Sequence, residues 1–272
     1  MIAGIFHKGS GIGNQLARYV AVRCLALDKG YDFAMQNPQN NKVQNFMNLD
    51  CGIYEPLYKY KQEAKTVLPD GTDIRDYDVT IKDVEDGTLI DGEMQDERYF
   101  MHRLDEVREW LKVEPLEMAD DLCVINFRGG EYNGLGYLFL TKKYWDDAVA
   151  HMKSINPNMR FEVHTDDRLL AETFFKTIPV VSDAATNWRS IRYAKYLILS
   201  NSSFAILPAY LNQDVKKIIA PKYWARHNVS HGYWALAQNI HTPFTYMDRN
   251  GVLFTAEQCR AELSPIPYSY IG

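Results

Sequence analysis

The sequence predicts an α/β protein of two domains, each built on a mainly parallel sheet with helices packed against it. Three observations predict this. The chain has 272 residues, long for one hydrophobic core and comfortable for two. From about residue 121 onward, short apolar runs alternate with helical stretches whose apolar residues recur every three or four positions. The first thirty residues start in the same way, with the apolar run IAGIF, a glycine-rich turn and then a helical pattern. Strands joined by crossovers of helix length pair in parallel, and such sheets bind ligands beyond the carboxyl ends of their strands.

Taken in order, IAGIF (2–6) is the first strand. Asn14 is placed to cap a helix whose Leu16, Tyr19, Val20, Cys24 and Leu27 face inward, and Gly30 is placed to end it before the strand YDFAM. Between about 36 and 120 the pattern weakens into Asn-rich, Tyr-rich and acidic connections, with one amphipathic helix around Leu104, Val107 and Leu111. A boundary is expected near the MADD turn at 118–121, dividing a domain of residues 1–120 from one of residues 121–272. The second domain carries the strands CVINF, FEVHT, VV, LILS and KIIAP. Between them lie a helix capped by Thr141, with Tyr144, Trp145, Ala148, Val149 and Met152 on one face, and helices at about 167–176, 187–196 and 203–211. Pro208 falls inside the last of these, where it frees a carbonyl and bends the helix.

Composition excludes several classes. Apolar residues make up 46 % and charged residues 24 %, ordinary values for a globular chain. No stretch approaches the roughly 18 to 20 apolar residues of a membrane span, and no basic leader precedes IAGIF, so a cytoplasmic protein is expected. Cys24, Cys51, Cys123 and Cys259 are widely spaced and contain no C-x-x-C, which suggests reduced thiols. In that setting the N-x-S matches at Asn201 and Asn228 are expected to stay unmodified. The net charge of −5 is unevenly spread: residues 61–120 carry 18 acidic and 8 basic side chains, against 17 acidic and 22 basic elsewhere. The acidic block reads as a solvated face, and the remainder as a mildly cationic surface suited to an anionic ligand. Nothing is basic enough to indicate nucleic acid.

Four stretches carry chemistry. In KGSGIGNQLARYV, glycines 9, 11 and 13 lie between a strand and a helix start, either a turn that lets a ligand approach the backbone or a plain tight turn. The spacing matches neither G-x-G-x-x-G nor the P-loop. In LILSNSSFAILPAYL, Asn201, Ser202, Ser203 and Phe204 open a helix, with hydroxyls and free N–H groups suited to a pyrophosphate or to a simple serine cap. CVINFRGGEYNG brings Asn126, Arg128 and Glu131 to a strand end, where arginine offers a planar fork for phosphate oxygens or a surface charge. FEVHTDD places Asp166 and Asp167 at another strand end, where a carboxylate can accept from ribose hydroxyls or purine N–H groups, or cap the next helix.

Together these stretches resemble the glycosyltransferase family 11 α-1,2-fucosyltransferases. GSGIGNQLARY is similar to G-x-x-G-N-Q-L-x-x-Y, INFRGGEY to H-x-R-R-G-D-Y, VHTDD to F-S-D-D, and AKYLILSNSSFAILPAYL to F-I-I-S-N-S-[ST]-F-S-W-W-A-A-[WY]-L, in the same order. The resemblance spans residues 4–211, IIAPKYWARH fits the strand that follows, and residues 36–118 show no match. Three positions depart from it: Asn126 stands for the family's His, Gly129 for its second Arg and Glu131 for its Asp.

The resemblance implies a GT-B fold, two Rossmann-like domains whose parallel sheets face across a cleft. It implies metal-independent inverting transfer of a sugar, L-fucose in that family, from a GDP-sugar to a glycan hydroxyl, with no cofactor besides the donor. Arg128 would pair with the diphosphate, Ser202 and Ser203 would grip the same phosphates beside Asn201 and Phe204, and Asp166 or Asp167 would address guanine or ribose. Gly11, Gly13, Asn14 and Gln15 would line the sugar and acceptor side. Inverting transfer calls for a general base, for which His7 and Glu131 are the candidates, Glu131 alternatively orienting Arg128. Competing readings are a GT-B transferase with another nucleotide sugar, a non-catalytic nucleotide- or glycan-binding module, and a metal-dependent GT-A transferase using Asp76-Tyr77-Asp78. The acceptor and the oligomeric state stay open.

Overall fold

The computed structural model describes residues 1–67, 73–228 and 237–263. The chain divides into two compact units, the first running from Met1 to Val113 and joined by the 3-10 turn Ala237–Asn239, the second beginning at Glu114.

In the first unit, β1 (Ile2–Ile5) leads into α1 (Ile12–Lys29), followed by β2 (Phe33–Gln36), β3 (Lys59–Gln62), the two-residue strands β4 (Thr66–Val67) and β5 (Asp73–Ile74), β6 (Thr88–Asp91) and α2 (Leu104–Trp110). The main sheet has the order β2-β1-β6-β3 and is parallel throughout, with β4 and β5 forming a separate antiparallel pair. The helix after the glycine turn begins earlier than the sequence suggests. Gly11, not Asn14, is the N-cap, and Asn14 lies in the first turn, where its side chain accepts from Gln95 Nε2 at 3.0 Å. Leu16, Tyr19, Val20 and Cys24 are buried as expected, whereas Leu27 is exposed in the last turn. Gly30 ends the helix in the left-handed region at φ 66°, where glycine carries no Cβ penalty.

The weakly patterned stretch from about 36 to 120 contributes two of the four described strands of this sheet, β3 and β6. Both are four residues long, and β3 is an edge strand whose Lys59, Tyr60 and Gln62 are exposed, so alternation has too few residues in which to show.

The second unit contains β7 (Leu122–Phe127), α3 (Lys142–Ile155), β8 (Arg160–Thr165), α4 (Arg168–Phe175), β9 (Val180–Val181), α5 (Ala184–Tyr193), β10 (Tyr196–Ile198), α6 (Ser203–Leu211), β11 (Lys217–Pro221), β12 (Thr245–Met247), β13 (Leu253–Thr255) and α7 (Ala256–Leu263). Its sheet runs β13-β12-β11-β10-β7-β8-β9, and among the described strands only β13 is antiparallel. Successive strand residues feed opposite faces, as the two-residue period of a strand requires. Val124, Leu197, Ile218 and Tyr246 pack with Ile191, Ala205, Ala209 and Cys259 of α5, α6 and α7. Ile125, Ile198, Ile219 and Met247 pack instead with Trp145, Ala148, Met152 and Ala171 of α3 and α4. Helices therefore cover both faces, the doubly wound arrangement, and such strands read as continuous apolar runs.

Two boundaries differ from the sequence reading. The LILS strand ends at Ile198 rather than Ser200, although Leu199 N–H still donates to Ile219 O at 2.8 Å. The fifth helix starts at Ala184, three residues before the expected start, and Asp183 caps it by accepting from Thr186 N–H at 2.7 Å. Cys24, Cys123 and Cys259 are buried, Cys51 is half-buried, and all four are free thiols. No described helix is long and apolar enough to cross a membrane. Asn201 is buried, and the other N-x-S match reaches beyond Asn228 into residues outside those described.

Candidate functional site

The carboxyl edge of the second unit's sheet collects most of the sequence-derived candidates. Strands β7 and β8 pair in parallel register from Leu122 opposite Arg160 to Phe127 opposite Thr165, so Arg128 and Asp166 emerge side by side. Arg128 Nη1 donates to Asp166 Oδ2, and its Nη2 donates to Glu131 Oε1 at 2.8 Å. Its Cζ lies 5.3 Å from the centroid of the Tyr132 ring. The guanidinium is thus held between two carboxylates and an aromatic face, an arrangement that orients its fork.

The two aspartates divide the work. Asp166 Oδ1 accepts from Gly129 N–H at 2.9 Å, while Asp167 Oδ1 accepts from Leu170 N–H at 3.1 Å and caps α4. This packing accounts for glycine at position 129. A Cβ on Gly129 would stand 2.7 Å from Asp167 Cβ and 3.1 Å from Leu170 Cδ2, and Gly130 adopts a positive φ of 31° against Asp166.

Strand β10 is the other neighbour of β7, which sets the serine-rich helix start beside this cluster. Asn126 is buried and its Oδ1 accepts from Ser200 Oγ at 3.0 Å. Asn201 Nδ2 donates to Leu138 O at 2.9 Å and to Trp224 O at 2.6 Å. Tyr132 Oη donates to Asn201 O at 3.3 Å, and burial pushes its hydroxyl up to about 12, so it remains a neutral donor. Arg128, the Tyr132 ring and the chain entering α6 thus form one contiguous edge. Ser202 is the N-cap residue of α6 with no side-chain cap bond, and Ser203 is the first helical residue. Phe204 turns inward, its ring edge-on to Trp188 at 5.9 Å, where it packs on the core.

In the first unit, the carboxyl ends of β1 and β6 lie side by side because these strands are parallel neighbours. His7, just past β1, places Nε2 at 2.9 and 3.0 Å from the two carboxylate oxygens of Asp91, the last residue of β6. Arg18, buried on α1, ties the two strand ends together. It donates from Nη1 to Ile5 O at 2.7 Å and from Nε to Gly92 O at 2.7 Å, and Nε stands 3.4 Å from Asp91 Oδ1. Gly92 N–H donates to Asp91 Oδ1 at 2.8 Å, and Tyr60 Oη lies 3.2 Å from Oδ2. Burial alone would raise the Asp91 carboxyl, but the His7 hydrogen bond, the Arg18 charge and the Gly92 amide outweigh it and hold it below the ordinary range.

The glycine-turn residues divide into two kinds. Gly13 is buried inside α1, and Gln15 is a buried staple: Nε2 donates to His7 O at 3.3 Å and to Asn40 O at 2.9 Å, while Oε1 accepts from Lys42 N–H at 3.1 Å. Gly9 and Gly11 differ: a Cβ on either would meet nothing within 4 Å, and neither has a positive φ. Glycine at these two positions is not demanded by the packing of the chain itself.

Asp76 and Asp78 are both engaged, Asp76 with Arg98 Nη2 at 2.6 Å and Asp78 with Thr80 N–H at 3.0 Å and Ala64 N–H at 2.9 Å. Among the described residues no group of three or more His, Cys, Asp or Glu side chains is arranged to hold a metal ion. Sequence reasoning missed Asp91, Arg18, Tyr60 and Tyr132. The available signal for Asp91 was DGTLIDGE, a short apolar core bounded by glycines and closed by a carboxylate. Compared with known proteins, the chain matches no protein-family model and no curated sequence.

Proposed function

We propose that the chain is an inverting, metal-independent glycosyltransferase on a GT-B architecture that moves a sugar, L-fucose by its family 11 resemblance, from a GDP-sugar to a hydroxyl of a glycan. The observation that carries this reading is the contiguous edge of Arg128, Tyr132 and the α6 start beyond neighbouring parallel strands. A diphosphate placed there exchanges with Asp166 and Glu131 for the guanidinium fork and receives N–H groups from the start of α6. As the bond from the sugar to the diphosphate breaks, charge develops on the phosphate oxygens, and preoriented donors stabilise that charge more than the ground state. Asp166 addresses the nucleoside, with Asp167 fixing the helix start beside it. Gly9 and Gly11, unconstrained by their own chain, leave backbone open to the sugar side, and His7 is the general base.

Gly129 supports a second reading, a transferase of the same kind using another nucleotide sugar, because the cluster has one arginine where the family has two. One thermal-shift series tests both. In EDTA, GDP at about 100 times its dissociation constant is expected to stabilise the fold by about 2.7 kcal/mol, a rise of about 5 °C, and UDP or NAD at equal concentration by less. UDP or NAD outranking GDP would move the donor assignment elsewhere. Stabilisation or activity that appears only with a divalent ion would favour the D-x-D alternative.

A further inference from the structure

Asp91 is surrounded by donors. The Gly92 N–H donates to Asp91 Oδ1, and the Arg18 guanidinium, which has no acceptor atom, stands with Nε 3.4 Å from the same oxygen, so both favour the ionised carboxylate. The side chain is mostly buried, with 15 % of its surface exposed, and its position between β1 and β6 is set by the Arg18 bonds to Ile5 O and Gly92 O. An ionised carboxylate in this setting can only accept from His7 as well. Nε2 of His7, close to both oxygens, must then carry its proton, and the lone pair lies on Nδ1. The His7 side chain is 43 % exposed, and Nδ1 has no hydrogen-bond partner among the described residues. Tyr60, on the edge strand with its ring exposed, flanks the same carboxylate, a flat face of the kind on which pyranose rings stack.

We infer that Asp91 is a positioning residue that locks His7 as the Nε2-protonated imidazole, leaving Nδ1 as the base that takes the proton from a sugar hydroxyl. This rests on the glycosyltransferase reading for its substrate, though not for its geometry. In the step, the acceptor O–H proton passes to Nδ1 while the oxygen's electron pair forms the new bond to the anomeric carbon. The bond from that carbon to the diphosphate breaks, and its electrons leave with GDP. The imidazolium, its charge matched by Asp91, returns the proton to water once the products have left. Glu131 lies in the second unit, where its carboxylate orients the Arg128 fork before the diphosphate takes its place.

The test separates the geometry from the chemistry. Long-range proton–nitrogen spectra of the full-length chain, with His7 among its seven histidines assigned by its loss in His7→Gln, are expected to show Nε2–H and a bare Nδ1 for the neutral ring. This measurement needs no altered Asp91 and no turnover. A protonated Nδ1 in the wild-type protein overturns the inference. In Asp91→Asn the ring is expected to become a mixture of tautomers, because an amide can accept or donate. With GDP-fucose and a glycan acceptor, turnover by that variant should fall by about 10²-fold with donor KM nearly unchanged. Unchanged turnover, or a KM that rises as far as turnover falls, overturns the role of Asp91. If the wild-type chain transfers from no GDP-sugar, the reading under Proposed function falls, and the spectra still decide the His7–Asp91 assignment.

Discussion

Arg128→Ala is expected to lower transfer turnover by about 10³-fold, the scale seen when one preorganised donor to a developing charge is removed. The expectation follows from position. Arg128 stands at the end of a central parallel strand, its fork oriented by Asp166 and Glu131 and its face by Tyr132. The same substitution should change folding stability by less than about 1 kcal/mol, because ion pairs with access to solvent contribute little. Arg128→Lys should recover only part of the turnover, since an ammonium keeps the charge and loses the planar fork. Initial rates across donor concentrations, alongside an unfolding curve for each variant, check this. Retained turnover in a folded Arg128→Ala protein would remove the leaving-group assignment.

The largest stability effect is expected at Arg18. Its side chain is 4 % exposed, and it joins the carbonyls of Ile5 and Gly92 to the Asp91 carboxylate. Alanine there leaves two carbonyls and a mostly buried negative charge without that partner, at a cost of about 3 to 5 kcal/mol. Against a total stability of about 5 to 15 kcal/mol this is a large fraction, equivalent to a fall in melting temperature of about 5 to 9 °C. Lysine should not rescue it, because one ammonium cannot reproduce the fork that reaches both carbonyls. Urea unfolding of the wild-type protein and both variants provides the measurement. A loss below about 1 kcal/mol in Arg18→Ala would show that the two strand ends hold together without it.

Much of the second unit was legible because its strands are buried on both faces. CVINF, FEVHT and LILS stand out as apolar runs against amphipathic helices, and Arg128, Asp166 and Ser202 lie beyond their carboxyl ends. The first unit was legible only at its start. β6 has just Leu89 and Ile90 between Thr88 and Asp91, and β3 is a polar edge strand, so neither offers a period to read. At α1 the expected cap residue is engaged from far away: Asn14 accepts from Gln95, 81 residues distant, and the helix begins at Ile12.

The amino-acid order by itself determined local character: which runs extend, which coil, where Gly30 stops a helix, and that glycines and serines open two helix starts. Those are properties of neighbouring residues, governed by propensity and by periods of 2 and 3.6. Tertiary structure alone decided the partnerships. It set His7 against Asp91 across 84 residues, assigned Asp167 to a cap and Asp166 to Arg128, and made Gln15 a staple between loops. The physical reason is that hydrogen bonds and ion pairs depend on ångström-scale distances, and parallel pairing brings together strand ends that the chain keeps far apart.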